Sequence, residues 1–262
     1  MTTWKSAAAQ RLLRSTGSSS VPLAVGTLAE SLLQGATTPP TDLDLIANRL
    51  NATVIQGDIF GSGELRRAAG GFEIVYAKDL APSRRRFTIA HEIAHIAIIQ
   101  TGPRAPTAGR EVERLCDLIA VELLMPRSVF EAYTPEQPRV GDIFALAKQF
   151  QTSLVATALR CTEVRRLTVL EVAKGKITRC VGTLRYSSVL RDPMLLDHLR
   201  SACEGHSGES ALYLNDDNSI IPVRVECRSL GRSGRALCLL TRMSAAAARD
   251  TLARGTDVDV VG

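Results

Sequence analysis

The chain has 262 residues, 45% of them hydrophobic and 4% aromatic, with a net charge of +5 and a pI near 9.0. Such a composition can bury a real core built on Ala, Val, Leu and Ile, so it excludes wholesale disorder. The mild basic excess permits nucleic-acid contact without arguing for it.

From the N-terminus, the first 29 residues lack acidic side chains, and residues 1–24 read as a flexible tail. In "TDLDLIANRLN" (41–51), Leu and Ile recur at helical spacing behind Thr41 as N-cap. "ATVIQGDIF" and "GGFEIVYAKDL" are rich in Val, Ile and aromatics, bounded by Gly or Asp, and read as strands of a small sheet. "RRRFTIAHEIAHIAIIQ" (84–100) holds no Gly or Pro and stops at "TGPRAP", which predicts a helix. A second helix covers 111–125, "EVERLCDLIAVELLM", and Pro126 closes it. Residues 140–164 predict two short helices joined near 151–153. Beyond 167 the texture turns to β. "LTVLEVAKGKITRCVG" sets a Gly-Lys turn between two runs, "SIIPVRVECRSL" and "RALCLLTR" add strands, and "DPMLLDHLRSAC" and "SAAAARDTLAR" are helices. The expected fold class is α+β, with a boundary near 166 and no internal repeat.

The cysteines, at 116, 161, 180, 203, 227 and 238, include no Cys-x-x-Cys pair. Their scatter reads as buried thiols of a reducing compartment, so a cytoplasmic location is expected. No apolar run approaches the roughly 18–20 residues of a membrane span, and no membrane association is expected.

Two of the four histidines, His91 and His95, stand four apart with Glu92 directly after the first. On a helix, residues i and i+4 differ by about 40° of rotation, so both imidazoles share a face and can hold one ion. Glu92 points about 100° away, too far to complete the ligand set but placed to reach a water on an open metal position. That is the arrangement of a zinc hydrolase with a glutamate base. The plainer reading is an apolar helix with two core histidines. It would bury both imidazoles among Ile and Ala without partners, which is costly. Downstream, Glu113 and Asp117 lie one turn apart on one helical face. Solvated carboxylates are the common case. Beside His-Glu-x-x-His, however, Glu113 reads as the third ligand, and Asp117 as the acceptor that fixes a ligating histidine's tautomer.

"RRRFTIAHEIAH" followed by "ERLCDLIAVELLMP" resembles the ImmA/IrrE family of zinc metallopeptidases. The resemblance implies a Glu-liganded zincin in which His91, His95 and Glu113 bind the metal and Glu92 is the catalytic base. Cys116, Asp117 and Ile119 depart from the family's usual residues without removing a ligand, and Cys116 is a minor candidate for metal contact. The implied organisation is a zincin-like domain over 25–130, a helix-turn-helix-like segment over 131–166 and a C-terminal α/β module, GAF-like by analogy, over 167–262. The implied cofactor is zinc, with manganese the alternative. The implied partner is a protein substrate, an Xre-type helix-turn-helix repressor whose cleavage derepresses a stress or mobile-element regulon. The alternative is a non-enzymatic DNA-binding regulator with a structural zinc. In that reading Thr157 and Arg160 are the main polar residues a reading helix would offer. Arg84, Arg85 and Arg86 read as a solvated approach to the helix, because its dipole disfavours cations there. Cys203 and His206 form no second metal pair.

Overall fold

The computed structural model describes residues 4–102, 109–190, 192–216, 219–231 and 234–254. The chain divides into two units, Met1–Tyr133 with Ala147–Ser153, and Thr134–Leu146 with Leu154–Gly262.

The first unit begins with α1 (Ala7–Thr16) and α2 (Val21–Leu33), where the sequence reading expects a flexible tail. Ordinary helix signals explain the difference. Ser6 Oγ accepts the Ala9 N–H at 3.2 Å, and Gly17 ends α1 in the left-handed region at φ 63°. Ala8, Ala9 and Leu12 are buried, so the small residues that looked like tail are core. Next come α3 (Leu43–Arg49), β1 (Ala52–Gly57), β2 (Gly63–Ala68) and β3 (Gly71–Ala77). Asp42, one residue beyond the expected cap, accepts the Leu45 N–H at 2.9 Å. Thr41 instead donates its buried hydroxyl to the Leu123 carbonyl at 2.7 Å.

The sheet order is β1-β3-β2. Central β3 runs parallel to β1, from Ala52↔Phe72 to Gly57↔Ala77, and antiparallel to β2, from Gly63↔Tyr76 to Ala68↔Gly71. Strand β2 is not among the strands expected from the sequence. Its "GELRRA" lacks the alternating apolar residues of a half-buried strand, because it is a largely exposed edge.

Helices α4 (Pro82–Gln100), α5 (Arg110–Leu124) and α6 (Arg127–Tyr133) follow. Pro82 starts α4, where its fixed φ suits a first turn and its missing N–H leaves no bond unmade. The helix ends at Gln100, and residues 103–108, which include most of the breaker segment, lie outside the described residues. From Ile89 to Ile98, α4 is buried on most sides, and it packs on α5, β3 and β2. Ala90, Ala94 and Ala97 allow close approach, while fully buried Ile93 and Ile96 each contribute roughly 1.5–3 kcal/mol. The arginine run is not simply solvated. Arg86 Nη2 donates to the Thr41 carbonyl at 2.7 Å, and burial lowers its pKa. Arg85 stacks over Tyr76 at 5.7 Å and Arg84 over Phe87 at 5.6 Å. These contacts offset the unfavourable dipole.

Two short helices, α7 (Val140–Phe150) and α8 (Leu154–Val164), follow as expected, and the unit division passes through α7. The second unit continues with β4 (Leu167–Ala173), β5 (Lys176–Gly182), α9 (Tyr186–Leu190), α10 (Pro193–Cys203), β6 (Gly208–Asp216), β7 (Ser219–Ser229), β8 (Arg235–Arg242) and α11 (Ala245–Arg254). Its antiparallel sheet has the order β5-β4-β8-β7-β6. The β4–β5 turn is Lys174-Gly175, one residue before the expected pair, with φ of 50° and 71°. Two successive positive φ values match the twist of a two-residue hairpin. Leu170, Val172, Val223, Val225 and Leu240 of the sheet join Leu195 and Leu199 of α10 in one buried cluster.

Cys227 and Cys238 lie directly opposite each other on β7 and β8, with Cα atoms 4.1 Å apart, and are joined as a disulfide. This corrects the expectation of free thiols throughout. Strand register, invisible in the sequence, brings them together. Cys116, Cys161, Cys180 and Cys203 are free. Among the described residues, no helix is long and apolar enough to cross a membrane.

Candidate metal centre

One wall of an open cleft of about 560 Å³ is the face of α4 that carries Arg84, Phe87, Thr88, His91, Glu92 and His95. Glu113 and Asp117 of α5 face it, and Ser62 and Gly63, where β2 begins, close a third side. The helical period aligns residues 84, 88, 91 and 95 on one stripe. All five residues singled out in the sequence are therefore brought into one cleft.

His91 Nε2 lies 3.1 Å from His95 Nε2 and 3.2 Å from Glu113 Oε2, and His95 Nε2 is 3.6 Å from the same oxygen. A tetrahedral ion with bonds of about 2.0–2.1 Å holds its ligand atoms about 3.3 Å apart. The three donors therefore fit a divalent ion without rearrangement. Among the described residues, they are the one group of three or more metal-capable side chains. His91 Nδ1 lies 2.9 Å from Asp117 Oδ1. An ionised carboxylate only accepts, so Nδ1 carries the proton and Nε2 presents its lone pair toward the other two donors. Burial, and then His91, pull His95 below the ordinary imidazole range, which favours its neutral, ligating form.

Glu92 is set apart from that triangle. Its side chain lines the cleft, yet the residue is only 9% exposed. Burial lifts its carboxyl above the usual range, Glu113 and Glu64 add to the effect, and His91 opposes it. The arrangement offers a carboxylate of raised basicity beside three donors that can hold a cation. Cys116 is fully buried outside the donor group, and burial pushes its thiol far up, so it is a poor ligand. Arg84, assigned no chemistry from the sequence, lines the cleft with its Nη2 3.4 Å from Ser62 Oγ. Ser62 and Gly63 carry no signal in a single sequence, because β2 itself is not legible there. Thr88 lies within the quoted motif, but nothing in the motif assigns it a role.

Helix, small sheet and His-His-Glu cluster together form an α+β domain with a candidate metal site. Residues 43–162 match the IrrE N-terminal-like domain, so this part of the chain is an IrrE/ImmA-like peptidase domain. No curated protein matches the chain. Among solved structures, a Mycobacterium tuberculosis transcriptional regulator superposes with a TM-score of 0.58 at 16% identity, covering 96% of this chain and 84% of that one. That similarity is one of fold.

Proposed function

We propose that the chain is a zinc-dependent endopeptidase, with manganese the alternative metal, and that it acts on a protein substrate of the Xre repressor type. The observation that carries the proposal is the donor triangle, with edges of 3.1, 3.2 and 3.6 Å, standing beside a buried carboxylate in one cleft. His91, His95 and Glu113 would hold the ion, and Asp117 would orient His91. When bound, such an ion polarises a carbonyl and makes water nucleophilic at neutral pH. Glu92 takes the proton of the attacking water and delivers it to the leaving amine. The open cleft gives room for an extended segment of a protein chain.

The zincin-like domain is assigned to residues 25–130, with a helix-turn-helix-like segment over 131–166. The five-stranded antiparallel sheet with α10 on its core face supports reading 167–262 as a GAF-like sensor module. A cytoplasmic location accords with a repressor substrate.

The alternative, a DNA-binding regulator with a structural metal, gains from the name of the M. tuberculosis protein but not from α8. Thr157 is 0% and Arg160 4% exposed, so the polar residues expected on a reading helix are buried. The test is incubation of the metal-loaded protein with a purified Xre-type repressor, with cut ends read by mass spectrometry. Cleavage at one bond that a chelator abolishes supports the peptidase. Operator binding that shifts DNA in a gel, without cleavage, supports the alternative.

A further inference from the structure

Strand β2 reaches the cleft through Gly63. A side-chain carbon built on Gly63 would overlap Thr88 Cγ2 and would lie 3.0 Å from Glu92 Oε1 and 3.6 Å from Glu92 Cγ. Gly63 is not among the residues with positive φ, so its backbone tolerates an L side chain. The nearest obstacles to one are Thr88 and Glu92 of α4. Both are held: Thr88 is 4% and Glu92 9% exposed, and Ile89, Ala90 and Ile93 beside them are buried. A close-packed helix has little room to retreat. Nor can β2 move away freely, because Gly63 and Glu64 pair with Tyr76 and Val75 of β3. Among the described residues, no protein group hydrogen-bonds the Glu92 carboxylate, so packing sets its direction.

We propose that Gly63 is a positioning residue for Glu92. The missing side chain lets the edge strand lie against the carboxylate, closing that side to water and aiming the oxygens into the cleft. An alanine forces Thr88 to shift and presses the Glu92 carboxylate aside by a few tenths of an ångström. The inference rests on Glu92 being the base of the proposed reaction.

The experiment compares full-length, metal-loaded Gly63→Ala, Thr88→Ser and the double variant. Thr88→Ser removes the methyl that alanine would overlap, which leaves Glu92 as the next nearest obstacle. Thermal midpoint, metal per chain, the crystal position of the Glu92 carboxylate, and kcat and KM on the repressor are measured. In Gly63→Ala, kcat should fall by about tenfold or more with KM within about twofold, since small misplacements of a catalytic group act on turnover. In the double variant the midpoint should return to that of Thr88→Ser. Its kcat should stay about tenfold below Thr88→Ser, with metal bound and the carboxylate displaced. Recovery of kcat together with the midpoint overturns the proposal, as does an unmoved carboxylate. If wild-type protein and Glu92→Gln cut equally, the base assignment fails instead, and the carboxylate position still reports separately on the packing claim.

Discussion

In the second unit, Leu170, Val172, Val223, Val225 and Leu240 of the five-stranded sheet pack with Leu195 and Leu199 of α10 in an apolar cluster. In the first unit, the three-stranded sheet lies against a helix buried from Ile89 to Ile98 on most sides, yet Gly63 of its edge strand abuts Glu92, a carboxylate only 9% exposed. The same residue types build both cores. One core uses burial to hold a sheet together, and the other also uses it to condition an acid beside three donor atoms. Burial that raises a carboxyl pKa works against stability, so the two regions should answer differently to mutation.

The largest effect should come from His91→Ala combined with His95→Ala. Bound metal should fall from about one ion per chain to background, and cleavage should vanish, while the circular dichroism of the sheets persists. Full metal occupancy in the double variant would remove the site from the first unit altogether. Leu240→Ala in the second unit should cost about 2–5 kcal/mol of stability and leave metal content unchanged. Loss of metal in that variant would show that the contrast between the regions is false. Asp117→Asn keeps the shape of the acceptor but loses its charge. It should weaken metal binding by about 10–100-fold, read by competition with a chelator.

The smallest effect is the most specific. The Glu92 carboxyl is raised by burial, so the folded state holds its proton more tightly than the unfolded chain. The stability this gives is full below the unfolded value near 4.5 and is lost as pH rises through the folded pKa. In metal-free protein, Glu92→Gln should therefore melt about 1–3 °C higher than wild type at pH 8, with the gain shrinking toward pH 4.5. A lower midpoint at pH 8 would mean that the ionised carboxylate is stabilised where it lies.

The sequence was most legible where period and chemistry coincide. His91, His95 and Glu92 can be placed on one helix because that helix is long, free of breakers and followed by a matching acidic helix. The paired strands around Lys174-Gly175 and the helix at Pro193–Cys203 follow for the same reason. The missed features depend on partners distant in the chain. β2 is an exposed edge whose "GELRRA" makes sense only once β3 lies beside it. The roles of Gly63 and Thr88 are steric and appear only when strand and helix meet. The Cys227–Cys238 disulfide depends on register, and α1 was hidden by small residues that serve as core as readily as tail.

The role of Glu92 as base is tested by cleavage of an Xre-type repressor by wild-type and Glu92→Gln protein, with metal measured on the same samples. Glutamine keeps the size of Glu92 but cannot take up the proton of the attacking water. Both proteins should hold about one ion per chain, and turnover in the variant should fall by about a hundredfold to ten-thousandfold. Equal cutting by the two proteins, with metal retained in both, would contradict that role.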